Sequence, residues 1–296
     1  MVHKCEASGK HRLGATPTNW KIKPVEIDEA RYNTEELGNF IFPSTFIGIG
    51  AVAAGKSTLM FNLINMLKPV FDDNIIIFSP TATNDPILLK LVEDELVLEV
   101  FESYSNDTLQ KILEVMRDDP DEKQKYMIIF DDILGMANMA NNHISKEARF
   151  LNSFISTYRH GAGICQEGRI SCMWFIQYYK SLLPTLRVNT SYVAFLGKHS
   201  EKNIKQYAEE LSTVCGGSES KFLEMWKQCK SGRYDFMTID LRKLRIYQNL
   251  DKLVYDDFAP HAPKGAGGAT PQDSEEPQKE KLENDSLAKL NEENKI

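Results

Sequence analysis

Long hydrophobic runs are missing from this chain. No stretch of about 18 apolar residues occurs in its 296 positions, which excludes a membrane-crossing helix. The opening Met1-Val-His-Lys-Cys-Glu6 has no apolar core of the secretory kind, so a soluble protein of the cytoplasm or nucleus, without a membrane partner, is expected. Cysteine is sparse: Cys5, Cys165, Cys172, Cys215 and Cys229 are odd in number and scattered, with no C-x-x-C pair. A disulfide framework and a zinc site are both disfavoured, and a reduced, intracellular setting fits. A surplus of positive charge is also lacking. The net charge is −7, and residues 271–296, with four lysines against eight acids (4 − 8 = −4), supply more than half of it. The rest is mildly acidic, so contact with nucleic acid has to come from a local basic strip and not from the average.

What is present starts with Phe46-Ile-Gly-Ile-Gly-Ala-Val-Ala-Ala-Gly-Lys-Ser-Thr58. Gly50 to Ser57 fits G-x-x-x-x-G-K-[ST], between an apolar run ending at Ile49 and an amphipathic run through Leu59, Met60, Leu63, Ile64 and Leu67 at helical spacing. Glycines let the backbone curl so that consecutive N–H groups face an anion, and the following helix adds its positive end. Gly50, Ala51, Val52, Ala53, Ala54, Gly55, Lys56, Ser57 and Thr58 are therefore the candidate phosphate cradle. In such a loop the lysine faces the β- and γ-phosphates and the serine hydroxyl serves Mg2+, so ATP with Mg2+ is the expected ligand pair.

Further apolar runs follow at Asn74–Ser79, Leu96–Phe101, Lys125–Asp132, Ile170–Gln177 and Ser191–Leu196. Helical signals separate them, among them Asp107 to Arg117, capped by Asn106 or Asp107, and Lys146 to Tyr158. This alternation predicts an α/β fold with a mostly parallel central sheet flanked by helices. Tyr234–Asp240 and Lys243–Gln248 read as a terminal β-hairpin, Trp20–Ile27 as an edge strand, Ser79–Pro86 as a turn and 133–144 as a mobile loop. Residues 1–40 read as a polar lead-in, 41–258 as the ATPase domain and 259–296 as a disordered acidic tail too poor in apolar groups to offset ordering entropy.

One apolar run ends in Asp131 and Asp132. Ligands of open parallel sheets bind beyond the carboxyl ends of the strands, so both carboxylates reach the rim that carries the phosphate loop. One can hold magnesium through water, and the next can orient a water against the γ-phosphate. Gln177 ends the following run and brings an amide to the same rim, where it can sense which nucleotide is bound. Arg159 and Arg187 are candidate fingers for the transferring phosphoryl group.

In order, Gly50-Ala-Val-Ala-Ala-Gly-Lys-Ser57, Ile128-Ile-Phe-Asp-Asp132, Arg159-His160, Phe175-Ile-Gln177, Leu183-Pro184 and Arg187-Val-Asn189 form one set. That set resembles the poxvirus-type genome-packaging ATPases of large DNA viruses and their small relatives, in the FtsK–HerA superfamily of DNA-pumping motors, over roughly residues 44–250. The resemblance implies a P-loop NTPase fold of the ASCE/RecA-like kind and a homo-oligomeric ring, pentamer or hexamer, that threads double-stranded DNA into a viral capsid. A capsid or portal partner and a viral assembly site in the host cell, or the virion, come with it. By motif match Lys56 and Ser57 become the phosphate and magnesium residues, Asp131 the second metal residue, Gln177 the sensor and Arg159 the trans-acting finger, with Arg187 as second candidate. Asp132 stands where the superfamily usually has a glutamate base, and being shorter it must sit closer to its water.

A DNA-facing pore needs lysines or arginines that touch backbone phosphates. Lys221, Lys227, Lys230, Arg233, Arg242, Lys243 and Arg245 form the densest basic segment, and the loop 133–149, with Lys146 and Arg149, is its rival. Two other functions share the phosphate loop: a small-molecule kinase, although Tyr178-Tyr-Lys-Ser-Leu-Leu-Pro184 offers no arginine cluster for an acceptor, and a nucleotide-dependent switch.

Overall fold

The apolar runs become strands because both of their faces are covered, which leaves no polar side to alternate. The computed structural model describes residues 35–121, 123–133, 146–164 and 168–258. The edge strand expected at Trp20–Ile27, the loop beyond Ile133 and the acidic tail lie outside them. The described residues up to Asp257 belong to one unit, and of a second unit, Phe258–Ile296, only Phe258 is described.

In chain order the elements are β1 (Glu35–Leu37), β2 (Phe40–Phe42), β3 (Thr45–Ile49), α1 (Lys56–Phe71), β4 (Ile75–Phe78), α2 (Pro86–Glu93), β5 (Glu99–Phe101), α3 (Asn106–Asp118) and β6 (Tyr126–Asp131). They continue with α4 (Lys146–Thr157), β7 (Ile170–Ile176), α5 (Pro184–Val188), β8 (Tyr192–Phe195), α6 (Glu201–Leu211), α7 (Glu219–Cys229), β9 (Met237–Asp240), β10 (Arg245–Gln248) and β11 (Lys252–Asp256). The main sheet has nine strands in the order β11-β10-β9-β8-β3-β7-β6-β4-β5. From β8 to β5 all pairings are parallel, while β9, β10 and β11 extend the sheet antiparallel. The terminal hairpin is thus present as β9 and β10, and β11 adds a strand that no sequence signal announced.

Strand alternation divides the core in two. Phe46, Ile75, Ile77, Met127, Ile129, Met173 and Phe175 pack with Leu59, Leu63 and Leu67 of α1 and Leu88 and Leu91 of α2. Ile47, Ile76, Phe78, Ile128, Phe130 and Trp174 face the other way, against α3, α4, α6 and α7. On that second face Phe78, Phe130 and Trp174 stack across β4, β6 and β7, with ring centroids 5.5 and 4.1 Å apart. Each such pair adds about 0.5–1.5 kcal/mol beyond its buried area and helps to lock the register.

That register matters for the site. Gly48 of β3 and Asp131 of β6 both pair with Phe175 of the intervening β7, so they stand level at the carboxyl edge, two strand spacings or roughly 10 Å apart. One expectation needs correction: α3 is capped by Ser105, whose hydroxyl accepts from Thr108 N at 3.0 Å, and not by Asn106 or Asp107, which lie inside the helix. Ser105 is the last residue with an extended backbone, and only that position turns its side chain back onto the free N–H groups.

Candidate nucleotide site

The phosphate loop is built by close approach. Gly50 donates its N–H to Ile176 O at 3.0 Å, and a Cβ on it would lie 2.8 Å from Ala54 Cβ and 3.2 Å from Leu196 Cβ. Ala53 at φ 60 and Gly55 at φ 94 pass through left-handed conformations that curl the chain before α1 begins. Lys56, in the first turn of α1, reaches back to donate to Gly50 O at 3.0 Å and Ala51 O at 3.4 Å.

The ammonium of Lys56 also stands 3.6 Å from Asp132 Oδ2, and Gln177 Nε2 donates to that same oxygen at 3.2 Å. Asp132 itself has φ 49 and is pinned by its N–H to Phe175 O at 2.9 Å. This left-handed turn, a strained conformation of the kind found at functional sites, takes its carboxylate out of the alternation of β6. Three residues remote in sequence thereby meet at one carboxylate oxygen.

Asp131 is buried and accepts from Ser79 Oγ at 2.8 Å. Burial pushes its carboxyl pKa up to about 6; the Ser79 hydrogen bond opposes the rise, and the charge of Asp132 adds to it. Ser57 Oγ donates to Asp85 Oδ2 at 2.7 Å, and Asp85 Oδ1 accepts from Ile87 N at 2.8 Å as the cap of α2. Sequence reasoning passed over Ser79 and Asp85, reading their segment only as a turn; its place directly after a buried parallel strand was the available signal.

The donor set suits a hard cation. The Ser57 hydroxyl and the Asp131 carboxylate are oxygen donors of the type Mg2+ takes. Among the described residues no group of three or more His, Cys, Asp or Glu side chains could hold a metal alone, so phosphate oxygens and water would have to complete the shell.

The arginines lie elsewhere. Arg159 donates to Tyr158 OH at 2.9 Å, Ser191 Oγ at 3.1 Å and Asn189 O at 3.3 Å, at the amino edge of the sheet. Arg187, in α5, pairs with Glu210 at 2.8 Å and lies over the ring of Tyr179. Nor does the basic segment form a strip. Lys230 turns inward to Phe195 O and Gly197 O, and burial lowers its pKa to about 8. Arg242 donates to Ile41 O and Pro43 O, Arg245 pairs with Asp256, and Lys221 donates to Tyr255 OH. Lys227 and Arg233 are the exposed members.

Beside the loop, on the side of β8 to β10, opens a cleft of about 1070 Å³ walled by Val52, Met66, Leu196, Tyr234, Phe236 and Leu250. Asp131, Asp132 and Gln177 lie on the other side, at the ends of β6 and β7. A curled loop leading into a helix, an acidic strand one place removed and an amide on the strand between are the arrangement of the P-loop NTPase fold of the ASCE, RecA-like kind.

No protein-family model and no curated protein sequence matches the chain. Among solved structures it is similar to the genome packaging NTPase B204 from Sulfolobus turreted icosahedral virus 2 in complex with AMPPCP, with 13% identity over 70% of this chain and 96% of that one and a TM-score of 0.48. The DNA-packaging ATPase B204 from Sulfolobus turreted icosahedral virus shows 14% identity, 72% and 99% coverage and a TM-score of 0.49. The cytoplasmic domain of the type VII secretion ATPase EccC of Thermomonospora curvata shows 12% identity, 54% and 20% coverage and a TM-score of 0.39. The fold class rests on strand order and site geometry.

Proposed function

We propose that the protein is an ATP-driven translocase that moves double-stranded DNA into a viral capsid as a homo-oligomeric ring. The observation that carries the ATPase part is the meeting of Lys56, Asp132 and Gln177 at one oxygen, next to the buried Asp131. Lys56 would neutralise the β- and γ-phosphates, and Ser57 and Asp131 would hold Mg2+. When bound, the cation supplies Lewis-acid charge to the phosphate oxygens. Asp132 would take the proton of the attacking water, and Gln177, bonded to the same carboxylate, would orient it. The base and sugar would lie in the cleft by Tyr234, which puts the phosphates across the loop toward β6 and β7.

The arginine finger would come from a neighbouring subunit, which ties turnover to assembly. Of the two candidates, Arg187 is held by one ion pair, about a third exposed, and by the face of the Tyr179 ring, while Arg159 makes three internal hydrogen bonds, so Arg187 can leave its partners at lower cost. The DNA and capsid parts of the reading are supported by the ordered motif set of the sequence. ATP hydrolysis that rises with duplex DNA, and faster than linearly with protein concentration, is the expected result. Phosphate transfer to a nucleoside without DNA, with no ring in electron micrographs taken with a non-hydrolysable ATP analogue and duplex DNA, would replace this reading with a small-molecule kinase.

A further inference from the structure

The two side chains assigned to the cation are each held by a residue of one short turn, the link from β4 to α2. At its start, fully buried Ser79 gives its hydroxyl proton to Asp131 Oδ2 at 2.8 Å, while Thr81 N–H donates to Ser79 Oγ at 3.3 Å. At its end, Asp85 Oδ2 receives the proton of Ser57 Oγ at 2.7 Å. The other oxygen of Asp85 accepts from Ile87 N, so the carboxylate is clamped on both sides. Capping α2 requires only one of those oxygens, and an asparagine would serve equally well there. A cap alone therefore does not account for the contact with Ser57.

A serine hydroxyl has one proton and two lone pairs. To bind a cation it must present a lone pair and send its proton elsewhere. The natural acceptor within the metal set, Asp131, takes the Ser79 proton at Oδ2, and the Ser57 proton goes to Asp85. We propose that Asp85 is a positioning residue of the cation site: by accepting the Ser57 proton it turns the hydroxyl lone pairs toward the metal, and it couples metal binding to the placement of α2. The proposal rests on the nucleotide reading given above. It adds a residue that neither touches phosphate nor ligates the metal and that acts through Ser57.

Asp85→Asn separates the two roles. Its amide oxygen still caps α2 through Ile87 N–H, while its NH2 group faces Ser57 and reverses that hydrogen bond, leaving the serine proton pointing at the cation. Binding of ATP is measured by titration calorimetry in EDTA and in MgCl2 for the full chain, D85N, S57A and the double variant, with Mn2+ followed by electron paramagnetic resonance. For D85N, the affinity for ATP in EDTA and the unfolding midpoint stay at wild-type values, while the gain in affinity from Mg2+ and the affinity for Mn2+ fall about 10- to 100-fold, the usual consequence of losing an outer-shell partner. In the S57A background D85N adds no further loss, because its effect runs through the hydroxyl. A wild-type Mg2+ gain in D85N, or losses that add in the double variant, would overturn the proposal, as would ATP binding by the wild type that Mg2+ does not improve. Wild-type protein that binds no ATP in either buffer would instead sink the nucleotide reading on which it stands.

Discussion

At the amino edge of the sheet Arg169 directs its guanidinium at the carbonyls of Met116, Asp121 and Gln124, Arg242 at those of Ile41 and Pro43, and Arg159 at Tyr158, Asn189 and Ser191. At the carboxyl edge, Lys56 and Gln177 converge on Asp132, while the neighbouring Asp131 is buried with the neutral donor Ser79. The lower edge closes each charge with fixed acceptors and turns it into architecture. The upper edge leaves charges mutually coupled beside the loop that precedes α1, the arrangement on which the proposed chemistry rests.

The amino edge is the costlier of the two to disturb. Arg169→Ala removes a fully buried guanidinium and strips one buried carbonyl, Met116, and two part-buried ones, Asp121 and Gln124, of their donor; it should cost about 3–5 kcal/mol in denaturant unfolding while the folded fraction keeps its affinity for ATP. A loss below about 1 kcal/mol would remove the distinction between the edges. Lys56→Ala should show the reverse pattern, with turnover down at least a hundredfold or so and a smaller change in stability.

Asp131→Asn sharpens the contrast by stabilising the protein at the cost of the site. Its folded-state pKa is raised from 3.8 to about 6, so its ionised form opposes folding: the penalty is absent below about pH 4, grows between the two values and is complete above pH 6. Without nucleotide or metal, the variant should gain on the order of 3 kcal/mol near pH 8, a gain that fades as pH falls through 6 toward 4. A pH-independent difference would mean that burial does not strain this carboxylate. The smallest effect on stability belongs to Arg187→Ala, under about 1 kcal/mol for a pair about a third exposed. Mixed with wild-type subunits, however, it should depress ATPase activity more than in proportion to its share. Simple averaging would take the finger role away from it.

Local order determined a good part of this. Continuous apolar runs announced β3, β4, β6, β7 and β8, and the spacing of Leu59, Leu63 and Leu67 announced α1, because period and composition are properties of neighbouring residues. The glycine-containing loop that leads into α1 was legible for the same reason, and so was the delivery of Asp131, Asp132 and Gln177 to one rim, since a parallel sheet points every such strand end the same way. Charge density misled where direction mattered. Lys230, Arg242 and Arg245 look like a basic patch in one dimension, yet they fold onto carbonyls and a carboxylate of their own chain.

Strand order was decided only in three dimensions, because periodicity identifies strands and says nothing of their neighbours. It placed β7 between β3 and β6 and so set the gap that Lys56 and Asp132 close. The same holds for Ser79 and Asp85. Each is an ordinary turn residue by its local chemistry, and becomes part of the site only because the folded sheet brings Asp131 and Ser57 within reach of its hydroxyl or carboxylate.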